Sequence, residues 1–167
     1  ASSFYDAMDD FPAFYHGLSQ LAMINRERKT VTQVSKVLVS SSALRDRLQH
    51  LTKNIHLVLN ACASDRLPEV STIQQHKNLI SPVFGYIGTI AEWFDWQLVV
   101  ALAESYPRAK FRLIGPIYKP SPISLPQNIF LEPPVPHAIA LKTMTEFDIG
   151  LIPFKKTVLT SSVDPIK

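Results

Sequence analysis

The sequence predicts an α/β protein with mostly parallel sheets covered on both faces, and two observations carry that prediction. Short runs of about four or five β-favouring residues alternate with segments of helical period along the chain. Three of those runs also stop at glycine or proline, at Gly88-Thr89, Gly115-Pro116 and Pro153-Phe154, where an open sheet of this class would turn toward a ligand.

Taken in order, Ala1–Tyr5 enters as though a strand were already under way, followed by an acidic turn at Asp6, Asp9 and Asp10. His16–Val34 reads as a helix with Leu18, Leu21 and Ala22 on one face and the charges from Arg26 to Lys29 on the other. Lys36–Ser40 is a compact strand, Ser41 or Ser42 caps a helix carrying Leu44, Leu48 and Leu51, and Ile55–Leu59 is another strand. Asn60–Lys77 is polar and loop-like, which places a domain boundary near Asn78–Pro82. The second half repeats the alternation. Val83–Ile87 is a strand and Phe94–Ser105 a helix closed by Pro107; Phe111–Ile114 is a strand. Tyr118–Gln127 carries Pro120, Pro122 and Pro126 and is a loop. Ile129–Leu131 is a strand, Pro136–Thr145 a helix and Asp148–Ile152 a strand.

Composition narrows the class. Of 167 residues, 46% are apolar and 19% charged, which suits a packed domain and excludes a disordered chain. A formal charge of +3 and a pI near 9.0 suit anionic ligands or a membrane surface with acidic lipids. Lys and Arg are scattered without the aromatic-interleaved stripe of a nucleic-acid binder, so no nucleic acid is expected. The single cysteine, Cys62, excludes an internal disulfide framework and has no basic neighbour to activate it; it reads as a small buried residue. The five histidines lack metal-ligand spacing, and no metal is expected. No apolar run is long enough to span a bilayer, and the acidic start lacks a signal peptide's positive flank, which points to the cytoplasm. At the other end, Asp164-Pro165 suits the cap and first position of a helix that Lys167 leaves unfinished, so a longer parent protein is expected.

Candidate site residues follow from the strand ends. Gly88-Thr89 is either a tight turn or a place where backbone N–H groups meet an anion near the positive end of the next helix. Gly115-Pro116 and Pro153-Phe154 would share that crevice. Lys167, at the start of a helix opened by Asp164, is either an exposed lysine or a phosphate ligand, since a cation there is mildly unfavourable until an anion joins it. Asp6, Asp9 and Asp10 form either a solvated turn or a carboxylate cluster serving sugar hydroxyls or activating an acceptor hydroxyl.

A further set of segments runs in a familiar order: Tyr5-Asp6-Ala7-Met8-Asp9-Asp10-Phe11, Glu27, Val39-Ser40-Ser41, Asn60-Ala61-Cys62 and Gly85-Tyr86-Ile87-Gly88. Trp93-Phe94-Asp95, Phe111-Arg112-Leu113-Ile114-Gly115-Pro116, Asn128-Ile129, Phe147–Phe154 and Asp164-Pro165-Ile166-Lys167 complete it. Together they resemble bacterial glycosyltransferases of the GT-B fold, in the retaining, family 4-like branch that includes teichuronic acid and other cell-surface polysaccharide enzymes. The resemblance covers nearly the whole chain. It implies parts of two Rossmann-like domains: residues 1–82 as the latter part of an acceptor-side domain, and 83–167 as the first part of a nucleotide-sugar-binding domain.

The same resemblance implies a nucleoside-diphosphate sugar as co-substrate, with no other cofactor and no metal. It implies a glycan or lipid-linked acceptor, with peripheral contact at the inner face of the membrane for the latter. Gly88, Thr89, Gly115, Pro116, Pro153, Phe154, Asp164 and Lys167 would then line the donor, and Val135 of Pro133-Pro134-Val135 would approach the base. Asp9 and Asp10 would face the transferred sugar or acceptor, and Lys167 would stabilise the leaving diphosphate. Three positions depart from the pattern: Ser162 stands where an acid is common, Ala63 replaces an Asp, and Lys167 alone represents the usual cation pair. A nucleotide-sugar epimerase of the same two-domain plan and a non-catalytic nucleotide-binding module are the competing readings. The chain by itself is expected to be inactive.

Overall fold

The computed structural model describes residues 2–62 and 80–163. The chain divides into two compact units, Ala1–Cys62 with Lys156–Lys167, and Ala63–Lys155. The sequence pattern placed the division between residues 82 and 83, and most of the polar segment before it lies outside the described residues.

In the first unit, β1 (Phe4–Ala7) leads through a 3-10 turn (Phe11–Phe14) into α1 (Gly17–Gln33), followed by β2 (Lys36–Val39), α2 (Ser42–Leu48) and β3 (Ile55–Leu57). The strands pair in parallel in the order β1-β2-β3, with Tyr5 beside Val37 and Val37 beside Ile55. The run Lys36-Val37-Leu38-Val39 is a half-buried strand by its own chemistry: Val37 and Val39 point into the core while Lys36 stays outside. They meet Ala7, Val31 of α1, and Leu44 and Leu48 of α2. Ser41 caps α2 by accepting from the Leu44 amide at 3.3 Å.

Two expectations fail here. The strand begins at Phe4 and runs to Ala7, later than Ala1–Tyr5. Leu18, Leu21 and Ala22 do not form the buried face of α1: Leu18 is 84% and Leu21 57% exposed, and the helix buries Glu27 and Val31 instead. A charged residue takes the inner position because a guanidinium waits for it there, as described below. A last helix, α5 (Val158–Ser161), was not foreseen in a Thr/Ser/Val-rich segment. It is started by a capping box in which Thr157 and Thr160 each bind the other's backbone amide.

The second unit contains β4 (Val83–Ile87), α3 (Trp96–Ser105), β5 (Lys110–Ile114), β6 (Ile129–Glu132), α4 (His137–Met144) and β7 (Ile149–Gly150). All pairs are parallel and the order is β6-β5-β4-β7. The chain therefore steps outward from β4 to β5 and β6, then returns to the opposite flank of β4. That reversal is a topological switch point. Phe84, Phe111, Leu113 and Ile129 pack with Val99, Val100 and Ala103 of α3, and the Phe84 and Phe111 rings stack at 4.6 Å. On Gly85 the Phe147 ring lies where a Cβ would be.

α3 begins at Trp96 because Asp95 is its cap, accepting from the Leu98 amide at 3.0 Å; Phe94, expected inside the helix, is a buried bridge partner of Phe154. β7 is shorter than Asp148–Ile152, yet its pairing reaches further. The Asp148 amide donates to the Val83 carbonyl, the Asp148 carboxylate accepts from the Val83 amide at 2.7 Å, and Leu151 N donates to Gly85. The proline-rich stretch 118–127 holds no helix or strand, as expected.

Asn128 fastens the far end of this unit. Its side-chain amide donates to the carbonyls of Ala103, Tyr106 and Ala109 at 3.0 to 3.1 Å, joining the end of α3 to the entry of β5. Asn128→Ala strands these acceptors and is expected to cost about 1–3 kcal/mol in denaturant unfolding. An unchanged midpoint would mean that solvent replaces the clamp.

Among the described residues no helix is long and apolar enough to cross a membrane.

Candidate functional site

The loops leaving β4, β5 and β7 are hydrogen-bonded to one another at the carboxyl edge of the second sheet. Gly88 N donates to Ile114 O at 2.9 Å, and Ile90 N to Pro116 O at 2.9 Å. Asp95 N donates to Pro153 O at 2.7 Å, and Lys155 N to Trp93 O at 2.8 Å. Gly88, Thr89, Pro116, Pro153 and Phe154 are thus brought together.

Glycine is required at one point of this edge. Gly115 has φ +145°, and a Cβ there would sit 2.1 Å from the Gly88 carbonyl oxygen. Its amide completes the ladder by donating to Glu132 O at 3.1 Å. Beneath the edge, Tyr86 donates its phenol to Thr89 O at 2.9 Å, and its ring packs edge-on to Phe94 at 5.1 Å. Burial pushes this phenol up to about 12, so it stays a donor.

Two details alter what the edge offers an anion. The Gly88 amide is spent on Ile114, so Gly88 contributes close backbone approach and not a donor. The first turn of α3 is already served by the Asp95 carboxylate, whose charge opposes an anion entering there. Among the described residues, the Thr89 amide and hydroxyl have no partner. Val135 lies at the same edge, after β6 and two strands away from β4. Asp164 and Lys167 fall outside the described residues.

The acidic turn proves to be of two kinds. Asp6 is exposed on β1 and Asp9 half-buried, while Asp10 is buried in the first unit beside Arg47. Arg47 forms a bidentate pair with Glu27, at 2.6 and 2.8 Å, and Glu27 also accepts from the Tyr5 phenol at 3.2 Å. The remaining Arg47 Nε makes no hydrogen bond and stands 3.5 Å from Asp10 Oδ2. Burial raises Asp10 above the ordinary carboxylate range, and the Arg47 charge offsets only part of that. Burial, with the neighbouring Glu27 charge, likewise keeps Tyr5 protonated. Neither the solvated turn nor an open catalytic pair describes Asp10; it belongs to a buried ion cluster tying β1, α1 and α2.

Cys62 is exposed, not buried. It follows β3, the last strand of its unit, by several residues. On the second sheet, Arg112 is saturated by Glu132 at 2.6 and 2.8 Å and Glu146 at 2.7 Å, which holds Glu132 below its usual range. Among the described residues no three His, Cys, Asp or Glu side chains gather as a metal site.

The sequence reading missed Glu92, Lys119 and Lys155. Each follows a different strand, and their proximity emerges only from the order of the sheet: Lys119 Nζ lies 3.0 Å from Glu92 Oε1, and Lys155 Nζ donates to Glu92 O at 3.2 Å.

The architecture is α/β with parallel sheets, and it matches part of the GT-B fold. Anabaena HepE in complex with UDP-glucose is similar at a TM-score of 0.64 and 14% identity, over 88% of this chain and 45% of that one. HepE with UDP and glucose gives 0.62 and 15% identity at the same 88% and 45% coverage. A TarM variant of S. aureus in complex with Fondaparinux, alpha-GlcNAc-glycerol and UDP gives 0.61 and 14% identity, over 90% of this chain and 31% of that one. The chain therefore spans less than half the length of these structures. No family model and no curated protein sequence matches it.

Proposed function

We infer that the chain is the part of a glycosyltransferase that binds a nucleoside-diphosphate sugar at the carboxyl edge of its second sheet. The observation that carries this reading is the switch point beside β4, where the loops after β4, β5 and β7 are knitted together at the edge open α/β sheets use for ligands. The fold likeness to structures holding UDP-glucose or UDP supports the choice of ligand.

In the reaction, the bond from the sugar's anomeric carbon to the diphosphate oxygen breaks. The acceptor hydroxyl oxygen forms the new bond to that carbon and passes its proton to an oxygen of the diphosphate, which leaves with the electron pair. The transfer is retaining, the acceptor oxygen bonding on the face the diphosphate leaves. It needs no metal because ammonium and N–H groups carry the charge on the leaving diphosphate; Lys167 is one of them. The acceptor is a glycan or a lipid-linked hydroxyl, met at the membrane surface in the second case. Asp9 serves the acceptor side; Asp10 acts through the buried cluster that positions this turn.

Saturation-transfer NMR of the chain with UDP-glucose tests the reading. Saturation of the uridine and ribose protons is expected, together with competition by UDP. No saturation, or equal saturation with glucose 1-phosphate, would remove the nucleotide from this edge. Turnover is read separately as UDP release that requires an acceptor; an altered sugar formed from donor alone would instead indicate an epimerase.

A further inference from the structure

Three loops bring two ammonium groups to a single residue, Glu92: Lys119 reaches its carboxylate and Lys155 its carbonyl. The backbone beneath them is fixed. Tyr118 N and Lys119 N both donate to Ile90 O, at 2.9 and 3.2 Å, the Trp96 indole donates to Lys119 O at 3.1 Å, and Lys155 N is held by Trp93 O. The ion pair itself is open: the side chains of Lys119 and Glu92 are 55% and 74% exposed, and a pair so solvated contributes only about 0–1 kcal/mol. A stiff base under a weak pair suits charges that change partners. The place is also telling, because Glu92 and Lys155 follow the two strands, β4 and β7, that flank the switch point. With the first turn of α3 already capped by Asp95, an anion at this edge would be met by side-chain cations and by Thr89.

We propose that Lys119 and Lys155 form a diphosphate-binding subsite in which Glu92 is an internal competitor, displaced from Lys119 when the ligand arrives. The proposal rests on the nucleotide reading above and supplies the cations for it. A diphosphate carries at least two negative charges against the single carboxylate of Glu92. The exchange therefore lets both ammonium groups make charge-assisted hydrogen bonds to one ligand. The group can arrive on a nucleoside or on a lipid, and the test separates them.

The test is calorimetric titration of the whole chain with UDP and with geranyl diphosphate, for the wild type, Lys119→Ala and Glu92→Gln. Lys119→Ala is expected to weaken UDP binding about tenfold, the loss of one charge-assisted hydrogen bond. Glu92→Gln is expected to tighten it about threefold, by removing the competitor. A pair that only braces the loops would weaken binding in both variants, so the opposite signs are what support the competitor. An unchanged Lys119→Ala or a weakened Glu92→Gln overturns the subsite, while wild-type UDP binding would keep the nucleotide reading. Lys119-dependent binding of geranyl diphosphate with none of UDP keeps the subsite and overturns the nucleotide reading. Saturable binding of neither ligand overturns both.

Discussion

Gly115→Ala is expected to unfold the second unit at markedly lower denaturant concentration, with a cost of about 4 kcal/mol. Two penalties add at this position. A residue with a Cβ is strained at φ +145°, which costs roughly 1–3 kcal/mol. The new methyl would also lie 2.1 Å from the Gly88 carbonyl oxygen. That atom is backbone and cannot rotate aside as a side chain would, so the overpacking costs roughly another 1–3 kcal/mol. Relief requires β4 and β5 to part at their carboxyl ends, where Gly88 N and Ile90 N are bonded to Ile114 and Pro116. If the nucleotide proposal holds, UDP binding weakens along with stability. Both tryptophans, Trp93 and Trp96, lie in this unit, so fluorescence follows its unfolding directly. Gly150→Ala is the control: nothing lies within 4 Å of a Cβ there, and a change within about 0.5 kcal/mol is expected. Equal midpoints for the two variants would show that the Gly88–Gly115 approach is not tight in solution.

The same contrast explains what the sequence could disclose. β4 was legible to the residue, because Val83–Ile87 is a short apolar run that needs no distant partner to define it. A serine cap for α2, at Ser41 or Ser42, and the irregular proline-rich loop were legible for the same reason: the chemistry is local. α1 was misread because its inward residue is Glu27, and a glutamate goes inside only where an arginine receives it. That arginine, Arg47, lies on another helix and leaves no trace in the period of α1. Asp10 was misread likewise, since its burial depends on the same Arg47. At the second sheet, glycines and prolines at strand ends marked the edge where the loops after β4, β5 and β7 join. The cations at that edge went unnoticed because Lys119 and Lys155 become neighbours only once β7 is placed beside β4.

Replacing Arg47 by Met should produce the other large effect, confined to the first unit. Arg47 is the counter-ion of both Glu27 and Asp10, whose side chains are 4% and 5% exposed. Removing one partner of a buried ion pair costs about 3–5 kcal/mol, because the charge left behind is neither solvated nor paired. The loss should depend on pH, and its sign follows from Asp10. Its folded-state pKa is raised, so the folded unit holds that proton to higher pH than the unfolded chain does. The stability this contributes is full below the ordinary carboxylate pKa and is lost as pH rises through the raised one. Without Arg47 nothing offsets burial, so the penalty of Arg47→Met should be largest near about pH 7.5 and shrink toward about pH 5. Adding Glu27→Gln to Arg47→Met should recover part of the loss at the higher pH, since one unpaired charge is gone. Hydrogen exchange at the β2 amides, Val37 to Val39, reads the first unit without interference from the tryptophans of the second. A penalty of the same size at both pH values, or no recovery in the double variant, would show that Arg47 acts by packing and that the buried carboxylates are not the cause.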